Sequence, residues 1–358
     1  MNSDPYQGSI GTRPVDPAHA FDPDRLAVFM RAHVDDFRGP LEVEQFKGGQ
    51  SNPTFLVRAG GRRYVLRRKP PGALLPSAHA VEREYRVMSA LAATGVPVAR
   101  TYALCEDASV LGSAFYIMQH VKGRIYWDPA LPQLQPHERA PMYDEMNRVI
   151  AALHSVDQDV LGLGDYGKAG NYLERQVARW TRQYRASETA HIEAVERLID
   201  WLPAHLPQAD ETRIVHGDFR IDNLIFHPAE PRILAVLDWE LSTLGHPLAD
   251  FAYHCMSWRL APPLSRGLAG LALGELGIPD EAAYVAAYCR RTGRAGIASG
   301  DWEFYMVFNM FRLVGILQGV ARRAELGNAS SLEAVTTGRR ARPLAEQAWQ
   351  MAQRVGDT

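Results

Sequence analysis

Cysteine is scarce in this sequence. Cys105, Cys255 and Cys289 are the three among 358 residues, and no two form a CxxC pair. That excludes a disulfide framework and a zinc knuckle, and it points to a reducing, cytoplasmic setting. An excess of one charge is also missing. With 39 basic side chains against 41 acidic ones, no field gathers nucleic acid or an anionic membrane, so neither is expected as a partner. The opening "MNSDPYQGSIGTRPVDPAHAF" lacks the basic start and apolar core of a secretory signal and reads as a flexible tail over residues 1–20. The most apolar long stretch, "MVFNMFRLVGILQGVA" from Met306, carries Asn309, Arg312 and Gln318. It is too short and too polar to span a bilayer and reads as a buried helix. There is no internal repeat and no low-complexity tract.

What is present is a globular composition, 46% hydrophobic and 22% charged, in a chain long enough for one large domain or two lobes sharing a cleft. Asp22 followed by Pro23 predicts a capped helix start. Short apolar runs broken by Gly-Gly at 48–49 and 60–61 predict two hairpins and a small antiparallel sheet. "HAVEREYRVMSALAAT", with Val81, Tyr85, Met88 and Leu91 at helical spacing, predicts a helix crossing that sheet. "ALCEDASVLGSAFYIMQHV" returns to strands. Beyond about residue 140 helical periodicity dominates. The expected layout is α+β: a lobe over residues 21–121, a connector near 120–126, and a large mostly helical lobe over 122–358.

The polar island "VHGDFRIDNLIF" spaces Asp218 and Asn223 five residues apart, the second running straight into a strand-like "LIF". Fifteen residues on, "RILAVLDWE" ends its apolar run at Asp238, and pairing with "NLIF" as a hairpin would set its carboxylate beside Asn223. Phosphoryl transfer needs such a set: one carboxylate to orient and deprotonate a hydroxyl, an amide and a second carboxylate to hold magnesium on nucleotide phosphates. A lone HGD is usually a turn and a lone strand-end Asp usually a cap; the ordered set is what points to chemistry.

These motifs resemble the aminoglycoside phosphotransferase and choline kinase-like family, relatives of protein kinases. The family's catalytic loop HGDxxxxN is matched by "HGDFRIDN", its metal-binding "LDW" by Leu237 to Trp239, and its "GxPxxD" by "GHPLAD" from Gly245. The resemblance implies a two-lobed protein kinase-like fold with a small antiparallel-sheet N-lobe and a large, mostly helical C-lobe. It also implies ATP or GTP with Mg2+ as cofactors. It makes Asp218 the catalytic base, Asn223 and Asp238 the metal ligands, and Asp250 a brace for the loop. His216 is expected to pack within the loop, while Arg220 and Asp222 can face substrate or solvent.

For the first lobe, "FKGGQSNPTF" occupies the place of a phosphate-covering glycine loop. There Gly48 and Gly49 allow a tight turn, and the backbone N–H groups of Gln50, Ser51 and Asn52 can face anionic oxygens; an ordinary hairpin turn is the alternative. In "YVLRRKP", alternation puts Val65, Arg67 and Lys69 on one face. The kinase lysine registers with Arg67, with Val65 lining the adenine and Lys69 as a possible substitute. Glu84 is the expected ion-pair partner and Glu82 the second choice. Adenine is expected on the backbone from Gln119 to Val121.

The implied partners are a nucleotide and a small molecule bearing a hydroxyl; oligomeric state is not readable. Arg175, Arg179, Arg182 and Arg185 form a helical stripe, either a solvated face or a lining for an anionic substrate. "GGQSNPTF", "RRKPPGALLPSAHAVEREYRV" and "LDWELSTLGHPLAD" are most similar to the phosphotransferase domain associated with acyl-CoA dehydrogenases. That similarity implies a hydroxyacyl thioester or related hydroxy acid as acceptor, without implying dehydrogenase activity. Two rival readings are a nucleotide-binding pseudokinase, for which the missing lysine at position 67 argues, and a metal-dependent hydrolase using His216, Asp218, Asp238 and His246.

Overall fold

The computed structural model describes residues 11–47, 52–70, 79–262, 264–326 and 337–355. Gly48, Gly49, Gln50 and Ser51 lie outside the described residues. The chain begins with β1 (Thr12–Arg13) and α1 (Pro23–His33); the Asp22 side chain accepts the Asp24 N–H at the helix start. β2 (Leu41–Phe46), β3 (Thr54–Ala59) and β4 (Arg62–Arg68) form the two expected hairpins. The tight one turns on Gly60 and Gly61, at φ +55° and +76°, a pair of left-handed positions that glycine enters without strain. α2 (Val81–Leu91), β5 (Thr101–Cys105), α3 (Ala108–Leu111) and β6 (Phe115–Gln119) complete a six-stranded antiparallel sheet ordered β1-β2-β3-β4-β6-β5. Strand alternation along β4 sends Tyr64 and Leu66 into a core with Phe29, Met30, Phe55, Phe115 and Ile117. Val65 and Arg67 therefore take the other face. Part of the expected tail is ordered: Thr12 and Arg13 pair with Phe46 and Gln45, and the buried Arg68 donates to the His19 carbonyl at 2.8 Å.

Helices α4 (Pro136–His154), α5 (Tyr172–Ser187) and α6 (Glu193–Ala204) follow, then four short strands: β7 (Arg213–Val215), β8 (Leu224–Phe226), β9 (Ile233–Val236) and β10 (Thr243–Gly245). β8 pairs with β9, and β7 with β10. The chain ends in α7 (Pro247–Cys255), α8 (Leu273–Leu276), α9 (Glu281–Arg291), α10 (Ser299–Glu325) and α11 (Ala341–Val355). By length and composition α10 could cross a membrane, which the shorter run from Met306 did not suggest. Most of its apolar residues are buried, and it packs against α5, α7 and α11.

Packing divides the chain into two units: Met1–Trp127, Asp159–Leu163 and Asp222–Ser242 in one, Asp128–Gln158, Gly164–Ile221 and Thr243–Thr358 in the other. The first is built on the sheet and the second is mostly helical. A single cut at 121/122 is too simple, for a local reason. Arg124 exchanges both backbone hydrogen bonds with Phe226, each at 2.8 Å. Gly123 lies so close that a Cβ there would collide with the Phe226 carbonyl oxygen. The Val236 N–H donates to Pro97 at 2.9 Å. The β8–β9 hairpin thus belongs with the sheet, and the boundary between units falls inside "HGDFRIDN", after Ile221.

Candidate active site

In the sheet unit the site grows from Arg67. β4 places it on the sheet face away from the core, and α2 brings Glu84 under it, Nε to Oε2 at 2.9 Å, with 11% of the Arg67 side chain and 2% of the Glu84 side chain exposed. Glu84 also accepts from the Tyr116 hydroxyl and from Asn52 Nδ2, each at 3.1 Å. The Asn52 amide oxygen in turn meets His79 Nδ1 at 3.0 Å. Arg67 Nη2 reaches two more carboxylates, Asp238 Oδ1 at 2.8 Å and Glu240 Oε2 at 3.3 Å. Lys69 is engaged elsewhere, on Glu82 at 2.8 Å.

The electrostatics follow from this geometry. Burial acts to lower Arg67, but the carboxylates of Glu84, Asp238 and Glu240 outweigh it and hold the guanidinium above its ordinary value. Glu84 is pushed up to about 7 by burial, against the pull of Arg67.

The β8–β9 pairing sets Leu224 opposite Val236, and the Leu237 N–H donates to the Asn223 carbonyl at 2.8 Å. Asn223 and Asp238 are therefore neighbours at one end of the hairpin. Asp238 has φ +65°, a conformation unusual for a residue with a side chain, and its side chain is 36% exposed. An amide oxygen and a partly exposed carboxylate are the hard donors that suit magnesium. Glu240, absent from the expected set, adds a third carboxylate; its signal in the sequence was its place two residues after Asp238.

Of the adenine-side expectations, Val65 is buried between Leu56 and Met118 in the sheet. The Gln119 N–H donates to the Arg100 carbonyl at 2.8 Å, which takes that one backbone group from a nucleotide. Val121 lies just past β6, half-buried.

In the helical unit the loop after β7 carries Asp218. Two successive N–H groups, of His216 and Gly217, donate to the buried Asp250 carboxylate at 2.8 Å each. His154 Nε2 meets the same carboxylate at 3.2 Å. Burial alone would raise Asp250; the hydrogen bonds from His154 and the loop prevail and hold it below the usual carboxylate range. Gly217, at φ +83°, makes the turn. His216 is fully buried and its Nδ1 accepts the Asp218 N–H at 3.2 Å. The Asp218 carboxylate oxygen Oδ1 accepts from the Tyr253 hydroxyl at 2.7 Å and meets Arg220 Nε at 3.1 Å.

His246 is buried, with Nε2 on the Ala209 carbonyl and the Tyr305 hydroxyl at 3.2 and 3.3 Å. Among the described residues, the group of acids and histidines spaced to hold a metal is Glu188, His191 and Glu196. His216, Asp218 and His246, the members of the hydrolase set that lie in the helical unit, are not part of that group. In the arginine stripe, Arg179, Arg182 and Arg185 are exposed, and Arg185 binds Glu196 through both terminal nitrogens. A paired, solvated face says nothing about substrate charge.

An arginine–glutamate pair on a small antiparallel sheet, a hairpin ending in Asp238 and a braced HGD loop on helices define a two-lobed, protein kinase-like phosphotransferase that acts on hydroxyl groups. The chain belongs to the phosphotransferase enzyme family, whose sequence profile matches residues 42–305. It is 60% identical to a protein of Ralstonia eutropha JMP134 assigned as an aminoglycoside phosphotransferase; that crystal structure superposes with a TM-score of 0.87 over 94% of this chain and 99% of the other. An aminoglycoside phosphotransferase APH(4)-Ia in complex with ADP and hygromycin B shares the fold, with a TM-score of 0.58 at 16% identity over 89% of this chain and 97% of the other. Mouse acyl-CoA dehydrogenase family member 10 is 49% identical over 98% of the chain, and human family member 11 is 41% identical over 96%. The chain spans 33% and 44% of those two relatives.

Proposed function

We propose that this chain transfers the γ-phosphoryl group of ATP to a hydroxyl of a small molecule, with Asp218 as the base. The acceptor O–H proton passes to Asp218 as its oxygen attacks the γ-phosphorus; the bond to the β–γ bridging oxygen breaks, and ADP leaves. Asn223 and Asp238 would hold magnesium, which supplies charge neutralisation on the phosphates when bound. The observation that carries this reading is the Arg67–Glu84 pair reaching on to Asp238. Residues from three distant segments meet as nucleotide phosphotransfer needs, and arginine keeps the glutamate link despite replacing lysine. That counts against the pseudokinase alternative. Arg67, with Lys69 bound to Glu82, is the better candidate for the phosphates.

For the acceptor, the relatives named acyl-CoA dehydrogenases favour a hydroxyacyl thioester or a related hydroxy acid over an aminoglycoside. The test is ADP release across a panel of hydroxyacyl-CoAs, sugars and aminoglycosides. A response to hydroxyacyl-CoAs is expected; a response confined to a non-acyl alcohol rejects this acceptor class.

A further inference from the structure

Arg312 is a buried cation in the middle of α10, 9% exposed, and among the described residues it has no carboxylate partner. Its Nη2 donates to the Gly217 carbonyl at 2.6 Å. Its guanidinium lies over the Tyr253 ring, 4.7 Å from the centroid, with the Trp180 ring on it at 5.5 Å. Tyr253, from α7, is itself buried, and its hydroxyl donates to Asp218 Oδ1 at 2.7 Å.

Simple packing does not explain either residue. A buried guanidinium without a counter-ion is costly compared with an aliphatic side chain, and phenylalanine would fill the space of Tyr253. Both polar groups end on the same loop, one on the backbone before Asp218 and the other on its carboxylate. The two contacts fix different degrees of freedom: the carbonyl contact fixes the loop, and the hydroxyl fixes the rotation of the carboxylate about its side chain. A cation–π contact between them makes the pair one unit.

We propose that Tyr253 and Arg312 are positioning residues for the Asp218 carboxylate, Tyr253 setting its rotation and Arg312 holding both the Tyr253 ring and the Gly217 carbonyl. This rests on the reading of Asp218 as the base. Misplacing a catalytic group by an ångström costs roughly 100-fold in rate, so loss of one hydroxyl contact should show in kcat and leave nucleotide affinity alone.

The experiment measures ATP turnover and ATP-dependent thermal stabilisation of the full chain for wild type, Y253F, R312M and R312K. Expected are kcat falls of roughly 10- to 100-fold in Y253F and R312M, KM for ATP within about twofold, unchanged nucleotide stabilisation, and partial recovery in R312K. A Y253F kcat within about twofold of wild type overturns the proposal. So does a loss in Y253F that appears equally in KM and in thermal stability, since that is how a purely structural residue behaves. A wild-type chain that neither binds nor turns over ATP sinks the underlying function, a result distinct from an active wild type with an unaffected Y253F.

Discussion

In the sheet unit one guanidinium, Arg67, is shared among three carboxylates. In the helical unit one carboxylate, Asp218, is held by a tyrosine hydroxyl and Arg220, while a second, Asp250, fastens two backbone N–H groups of its loop. The first arrangement is an excess of negative charge around a single cation, which a second cation would relieve. The second is a scaffold of hydrogen bonds, suited to keeping one carboxylate in one orientation. There the charged groups serve to fix geometry.

The largest effect expected from breaking this contrast is at its chemical end. D218A should lower turnover by roughly 1,000-fold or more while nucleotide binding and folding persist; full activity in that variant would refute the mechanism. D250A should come next. It strands the His216 and Gly217 N–H groups, and denaturant unfolding should show a loss of about 3–4 kcal/mol together with loss of turnover. If stability fell by less than about 1 kcal/mol, Asp250 would not be the brace.

R67A tests the other unit. Removing the cation leaves Glu84, Asp238 and Glu240 facing one another, and unfolding should register about 2 kcal/mol, discounted for the partial exposure of Asp238 and Glu240. R67K should recover the Glu84 pair better than the Asp238 contact, because a single ammonium cannot hold both as the guanidinium fork does. Equal behaviour of the two variants would show that the fork is irrelevant.

The units should also answer pH in opposite senses. Glu84 titrates at about 7 when folded against 4.5 as its ordinary value. Its contribution to stability is full below pH 4.5 and is lost as the pH rises through about 7. His254 is pushed down to about 4 by burial, from 6.5; its contribution is full above pH 6.5 and is lost as the pH falls through about 4. Hydrogen exchange followed by unit between about pH 7.5 and 5 should show protection rising around α2 and falling around α7. E84Q should flatten the first trend and H254Q the second. The smallest effect belongs to K69A, which breaks the half-exposed pair with Glu82 and should cost under about 1 kcal/mol with little change in turnover.

Much of the candidate site could be read from the chain because its signals are local. The five-residue step from Asp218 to Asn223 and the apolar run ending at Asp238 each lie within one hairpin or loop, and alternation along β4 sorted Arg67 from Arg68. Tyr253 and Arg312 were missed for the opposite reason. Tyr253 sits three residues after Asp250, in a helix whose apolar neighbours hide it. Arg312 drew notice only as a charge that spoiled a membrane span; a cation retained in an apolar helix was the available hint of a polar task.

The sequence by itself, through its patterning and its family resemblance, determined the fold class and the order of the elements, and it nominated the groups proposed for phosphoryl transfer. Those depend on periodicity, turn residues and spacing, which are properties of neighbours along the chain. Tertiary structure alone decided that Arg67 would reach Asp238 and Glu240 as well as Glu84, that Lys69 would be tied to Glu82, that the "HGDFRIDN" motif would be divided between two units, and that α10 would send its one central cation to the Asp218 loop. Such partners are chosen by distance in space between segments far apart in sequence, and no local pattern encodes them.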